Sequence, residues 1–161
     1  MRILMLTTLC VLLAACGFQL RGVAQLPFAK LYVSGPESSA VVNDIKRDIQ
    51  TGTSTRLVKQ AAEAEATLDV LAENRDKIIL SLTSDGRVRE FQLRLRVNYR
   101  LTGGQAQELI PVNEIVLNRV ISFSDTQVVA KETEEALLYR DMQADIVQQI
   151  MRRLATVKPA S

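Results

Sequence analysis

Histidine is absent from this chain, and its only thiols are Cys10 and Cys16. Without histidine the commonest general base and the commonest metal ligand are both missing. Chemistry would have to come from carboxylates, amines or guanidinium groups. Glu132, Glu134 and Glu135 lie close enough for paired-carboxylate acid–base work. They stand, however, where a helix is expected to begin, and acids there more often complement the positive end of the helix dipole; that second reading is preferred. Arg94, Arg96 and Arg100 share one face of an expected strand, with Arg87 and Arg89 beside the turn before it. Guanidinium forks match phosphate and carboxylate oxygens, yet long basic side chains also solvate a sheet face and guard it against edge pairing. Solvation is the weightier reading for the mid-strand arginines; for Arg87 and Arg89 the two stand level. Lys131, at the start of the last expected helix, is on electrostatic grounds an ordinary exposed lysine. There is no Gly-rich phosphate loop, no metal-ligand spacing, no Gly-x-Ser-x-Gly elbow and no dyad built on His or Cys. Four Phe and three Tyr without Trp offer no aromatic platform for sugars.

The sulfur of Cys16 has a more specific setting. Ahead of it stand one positive charge (Arg2), an apolar run over 3–13 and then small residues. That is the layout of a secretory signal, with an apolar part too short to span a bilayer. Leu13-Ala14-Ala15-Cys16 resembles the bacterial lipobox, in which small residues before the cysteine admit the lipoprotein signal peptidase once the thiol carries a diacylglyceryl group. Residues 1–15 are therefore expected to be removed, leaving Cys16 as an N-acylated, S-diacylglyceryl first residue and Cys10 in the discarded piece. A single acyl chain holds a membrane only marginally, at about 0.8 kcal/mol per buried CH₂, whereas two or more anchor stably. Gly17 follows, not the aspartate that favours the inner membrane, so the expected address is the periplasmic face of the outer membrane. An acylated Cys16 leaves no thiol for a disulfide or a metal site, and no cofactor is called for beyond the covalent lipid. Losing Arg2 takes the net charge from +2 to +1 over the remaining 146 residues. That is chain enough for one domain with a core and no basic excess pointing to nucleic acid.

Positioning these groups requires a small set of elements. Residues 16–30 read as a lipidated tether, 31–155 as one domain and 156–161 as a flexible tail. A strand over 30–34 ends at the Gly35-Pro36 turn. Ser38 or Ser39 can cap a helix to about residue 50, with Val41, Val42, Ile45 and Ile49 at helical spacing and Gly52 as the stop. A weaker strand over 56–59 and an Ala/Glu-rich link follow. Residues 66–73 alternate as a strand, Asn74-Arg75-Asp76-Lys77 interrupts, and 78–83 continue it. Asp85-Gly86 predicts a two-residue type I′ hairpin, which needs positive φ at both central positions. The return strand is the clearest: Phe91, Leu93, Leu95, Val97, Tyr99 and Leu101 alternate with polar and basic residues. At about 3.4 Å per residue it would reach roughly 50 Å, more than two helices can cover, so the tip over 83–89 is expected to project past the core. Gly103-Gly104 turns the chain into a strand over 108–123. The last helix, about 132–154, carries an apolar stripe of Leu138, Met142, Ile146, Ile150 and Leu154, widened by Leu137 and Val147. This order predicts an α+β fold, two helices packed on one face of a four-stranded, mostly antiparallel (mixed) sheet. Strand number excludes a membrane-spanning barrel.

Two stretches carry a resemblance. Cys16-Gly17-Phe18-Gln19-Leu20-Arg21-Gly22, and the run from Leu138-Tyr139-Arg140-Asp141-Met142-Gln143 through Ala144-Asp145-Ile146-Val147-Gln148-Gln149-Ile150-Met151-Arg152-Arg153-Leu154, resemble the LptE family of lipopolysaccharide-assembly lipoproteins. The resemblance implies a non-enzymatic protein that plugs and helps assemble the outer-membrane β-barrel LptD and binds lipopolysaccharide on its way to the outer leaflet. It also implies basic residues near the hairpin turn and near the start of the last helix in that contact. Lys131 matches the second position. At the first, the family's arginine before the turn corresponds to Ser84, and Arg87 or Arg89 would supply the charge from the other strand. Two other functions compete: a periplasmic scaffold lipoprotein of another envelope assembly machine, binding a protein partner only, and a carboxylate-dependent envelope hydrolase.

Overall fold

The computed structural model describes residues 25–124 and 128–158. The signal segment, Cys16, residues 17–24 and the end of the tail lie outside the described residues. Strands β1 (Lys30–Ser34), β2 (Arg56–Leu57), β3 (Ala66–Leu82), β4 (Val88–Gly103) and β5 (Glu108–Ser122) form one sheet in the order β2-β1-β3-β4-β5. Helices α1 (Ala40–Gly52) and α2 (Val128–Ala155) cover one face of it. β1 runs parallel to both β2 and β3, and the other pairs are antiparallel. The sheet therefore has five strands rather than the four expected. The extra one is two residues of the expected 56–59 stretch, long enough to pair Arg56 with Lys30 and Leu57 with Leu31.

α1 forms where its apolar spacing and cap place it. Ser39 accepts from the Val42 N–H at 3.1 Å, a cap worth about 1 kcal/mol, and Val41, Val42, Ile45 and Ile49 are buried. Its end differs from expectation. Gly52 is the last helical residue and has no positive φ. Thr53 closes the helix in extended conformation, its N–H and its hydroxyl both donating to the Ile49 carbonyl. Threonine supplies the donor that the last turn lacks, so no left-handed glycine is needed. Leu26 and Phe28, within the stretch read as tether, are buried in the core.

β3 is continuous through the charged tetrad expected to interrupt it. The reason is a β-bulge. Val70 pairs with Tyr99 and Ala72 with Asn98, leaving Leu71 as an extra residue. Before the bulge Ala66, Leu68 and Val70 face the helices; after it that face passes to Glu73, Arg75, Lys77 and Ile79, opposite Val97, Leu95, Leu93 and Phe91. The charges thus lie between sheet and helices, and each has a partner there. Glu73 Oε2 accepts from the Ser39 hydroxyl at 2.6 Å and the Val41 N–H at 3.2 Å. Arg75 donates to Gln143 at 3.1 Å and lies over the Tyr139 ring; Lys77 meets Glu135 at 2.6 Å. Charge-assisted bonds of this kind are stronger than neutral ones, and here they fasten both helices to the middle of β3.

The long helix starts at Val128, earlier than expected, and its first turn holds no acidic residue. Glu134 and Glu135 are therefore partners of Lys131 and Lys77 and not dipole caps. Leu137, expected on the apolar stripe, is 51% exposed, while Tyr139, Met142, Gln143, Ile146, Val147, Ile150, Met151 and Leu154 are buried. A four-residue step overshoots one turn by about 40°, so the covered face settles on Tyr139 and leaves Leu137 outside.

The hairpin end as a candidate site

The hairpin is built differently from a type I′ turn. The Gly86 N–H bonds the Thr83 carbonyl at 3.0 Å and the Thr83 N–H bonds the Arg87 carbonyl at 2.8 Å. Gly86 alone in the turn has positive φ, +77°. That is the longer loop closed by a left-handed glycine, which leaves Asp85 in an ordinary conformation. Two more irregularities adjoin it: Leu80 is extra on β3, and Arg89 is extra on β4 between Glu90, paired with Ser81, and Val88, paired with Leu82. Bulges twist a strand and re-aim its side chains. Here the bulged residue is one of the two arginines picked out from sequence.

Arg87, Arg89 and Lys131 come to the same end of the sheet. Glu90 pairs with Ser122, the Arg89 carbonyl accepts from the Phe123 N–H at 2.8 Å, and Lys131 Nζ donates to the Ser122 hydroxyl at 2.9 Å. Lys131 also meets Glu134 at 2.8 Å, its side chain only 18% exposed, so it is not the ordinary exposed lysine that electrostatics alone suggested. Arg89 is exposed. Arg87 pairs with Asp85 at 3.4 Å, both side chains well exposed. Ser84 sits in the turn, its hydroxyl bonded to Asp85 at 3.2 Å.

Reading the sequence missed three members of this cluster. Lys77 lies over the Phe91 ring, 4.5 Å from its centroid, and Phe91 meets Phe123 edge-on at 5.5 Å. Lys77, Phe91, Phe123, Lys131, Glu132 and Glu135 line a recess of about 70 Å³. Lys77 stands over the aromatic floor and Lys131 lines the same recess, each paired with a carboxylate from the second turn of α2. Beyond the floor Ile79, Leu80 and Leu82 are 55%, 49% and 55% exposed, so the tip passes the last covered position and leaves apolar side chains uncovered beside cations. No periodicity marks Lys77 in the sequence, because residues 73–77 are all polar.

The mid-strand arginines behave otherwise. Arg96 pairs with Asp76 at 3.1 Å and Arg100 with Asp69 at 2.9 Å, while Arg94 bonds Asn118 and Gln92. The face away from the helices is thus an internally compensated ladder, with Val116 and Val120 exposed along its β5 side. Among the described residues no group of three or more His, Cys, Asp or Glu could hold a metal ion, and no helix is long and apolar enough to cross a membrane.

The hairpin end thus sets one cation over an aromatic ring and borders it with exposed aliphatic side chains. A profile of the LptE family, described as lipopolysaccharide-assembly, matches residues 28–154. The chain belongs to the LptE family, a non-enzymatic family of the cell envelope. It is 28% identical over 153 residues to the LPS-assembly lipoprotein LptE of Pectobacterium atrosepticum, covering 89% of this chain and 79% of that protein. To the Yersinia pestis protein of the same name it is 29% identical over 155 residues, covering 91% and 72%. Among solved structures, lipoprotein B from Nitrosomonas europaea is 43% identical with a TM-score of 0.76, over 86% of this chain and 90% of that one. The rare lipoprotein B from Shewanella oneidensis shares the fold, at 20% identity and a TM-score of 0.69 over 79% and 94%.

Proposed function

We propose that this chain works as an outer-membrane lipoprotein held on the periplasmic side by acyl chains on Cys16, that it plugs and helps assemble the LptD β-barrel, and that it binds lipopolysaccharide at the hairpin end. The observation that carries the reading is the pairing at that end of four cations, Lys77, Arg87, Arg89 and Lys131, with the exposed Ile79, Leu80 and Leu82. Lipopolysaccharide carries phosphates beside acyl chains, and the tip offers a partner for each. Ammonium and guanidinium groups there can compete with the divalent cations that bridge such phosphates in aggregates. A plug also needs a wet outer surface, because large barrels are polar inside; the ion-paired arginine ladder supplies one.

Affinity isolation of the mature lipoprotein from mild detergent, with mass identification of its partner, tests the barrel contact. LptD is expected to co-purify, and a protein that extracts alone and monomeric would overturn the plug. Intact mass of the native product should show residues 1–15 removed and Cys16 diacylglycerylated and N-acylated; an unmodified sulfur would remove the anchor. Reversing the charge of Arg87, Arg89 and Lys131 together should abolish lipopolysaccharide binding. Unchanged binding would favour the second reading, a scaffold lipoprotein of another envelope machine whose contact is with protein alone. The neutralised outer sheet face with its exposed valines would suit such a partner.

A further inference from the structure

At the opposite end of α2 the last turns of the helix stand over β5 and leave a groove of about 880 Å³. Tyr99, Asn113, Gln149, Arg152, Arg153 and Glu114 are among its lining residues. Tyr99 is 1% exposed, yet its hydroxyl makes no hydrogen bond to any described residue and is not sealed from solvent. The ring is packed against the core, and the remaining exposure is at the oxygen, which feels the charge of Arg153 on the same groove. A buried polar group is ordinarily partnered, and this one faces the groove without a partner. The two arginines here also differ from those that are ion-paired along the sheet. Arg75, Arg96, Arg100 and Arg119 each reach a carboxylate. Arg152 and Arg153 are exposed and take part in no ion pair among the described residues. Part of their purpose is to complement the negative end of the helix, but that leaves guanidinium donors directed to solvent beside a phenol that can donate. Asn113 shares the face of Tyr99, its partner in register, and Gln149 adds an amide. Glu114, the carboxylate on the rim, pairs with Asn98 on the other face of the sheet, so its charge is turned away from the phenol.

We propose that this groove is a second anion site that takes a phosphate group, with Arg152 and Arg153 as its cations and the Tyr99 hydroxyl as a fixed donor. Two guanidinium groups and one hydroxyl can supply donors to the oxygens of one phosphate, bidentately where the fork allows. Burial raises the Tyr99 pKa above the ordinary value near 10, which keeps the phenol protonated and able to donate at neutral pH. The site is separate from the hairpin end: from Lys131 to Arg153 the helix rises about 33 Å at 1.5 Å per residue, too far for one phosphate to reach both. It therefore stands or falls independently of the hairpin reading.

The chain has three tyrosines, so ring-labelled tyrosine NMR of the mature lipoprotein in neutral detergent can follow Tyr99, assigned with Tyr99→Phe. The probes are glucose 1-phosphate, a monoester like those of glycolipids, and glycerophosphoglycerol, a diester like a phospholipid headgroup, with glucose and chloride as controls. The Tyr99 resonance is expected to shift saturably with at least one phosphate, while Tyr32 and Tyr139 do not move. Arg152→Gln and Arg153→Gln should each weaken binding by roughly tenfold, the loss of one charge-assisted bond, with only a small fall in melting temperature from the lost helix-end charge. Preference for the monoester assigns the site to a glycolipid phosphate; equal or better binding of the diester assigns it to a phospholipid headgroup. No saturable shift with either probe, or a shift that survives both arginine substitutions, would overturn the proposal.

Discussion

Replacing Glu134 and Glu135 together with glutamine should strengthen lipopolysaccharide binding, although both residues border the site. Each carboxylate occupies an amine that the ligand's phosphates would use: Glu135 holds Lys77 at 2.6 Å and Glu134 holds Lys131 at 2.8 Å. The four side chains are between 18% and 48% exposed, so each pair contributes no more than about 0.2–1 kcal/mol after solvent screening. Binding must first break these pairs, and removing them in advance returns the same quantity. At 1.36 kcal/mol per tenfold, the gain is up to about fivefold for each pair. The cost to folding should stay below about 2 kcal/mol for the double variant, within reach of a melting curve. The assay is equilibrium binding of fluorescent lipopolysaccharide to the detergent-solubilised lipoprotein at low and high salt, with Lys77→Gln and Lys131→Gln as variants that weaken binding. Added salt should shrink the gain, because it screens both pairs and ligand. Unchanged or weaker binding by the double variant, with native melting, would show that these carboxylates do not compete with the ligand and that the paired amines are not its partners.

Three other outcomes follow from the fold. An added Cβ at Gly35 would stand 2.7 Å from Val42 Cγ2 and 3.0 Å from the Val70 carbonyl, whereas at Gly52 it would meet nothing within 4 Å. Gly35→Ala should thus lower stability by about 2 kcal/mol or more through overpacking, and Gly52→Ala should raise it by about 0.5–1 kcal/mol through helix propensity, both read from urea melts. Glu73→Gln should cost about 2 kcal/mol, since a neutral amide replaces the acceptor that Ser39, Val41 and Arg75 share; loss of amide-exchange protection confined to the first turn of α1 would locate the effect. Burial raises the pKa of Tyr99, with Arg153 opposing, and of Tyr139, with the Glu135 charge adding to it. A phenol harder to ionise when folded stabilises the fold while protonated, so this contribution is whole below about pH 10 and is lost as pH rises through the folded-state values. Melting temperature should fall on that alkaline limb, and Tyr99→Phe should flatten the fall; an equally steep limb in the variant would refute the assignment.

How much of this could be seen beforehand depended on whether the cause was local. β1, α1 and the alternation along β4 were legible because their apolar spacing, the Ser39 cap and the Gly35 turn lie within a few residues of the element they shape. The cap was foreseen as Ser38 or Ser39 and is Ser39, but its second partner, Glu73, is 34 residues away and could not be foreseen. The tetrad Asn74 to Lys77 read as a break because its charges had no visible partners; those partners are Glu135, Gln143 and the strand opposite. Asp85-Gly86 announced a turn, and only its closure by a single left-handed residue remained hidden. For the site, Lys131 and the two arginines were drawn out by resemblance and by the expected tip, and the fold brings them to one end of the sheet. Lys77, Phe91 and Phe123 escaped because a recess between a strand and a distant helix leaves no spacing of its own.

The extra residue at Leu71 is surplus to the ladder that joins β3 to β4. Its side chain is 45% exposed, so exchange for another residue that tolerates a strand should cost little. Deleting it would make Val70, opposite Tyr99, and Ala72, opposite Asn98, direct neighbours in a regular ladder, with Glu73, Arg75 and Lys77 still turned toward the helices. Descendants of this gene should therefore let that position drift in identity and tolerate its loss. What must be inherited is the meeting of the two flanking pairs, with or without a residue looped out between them.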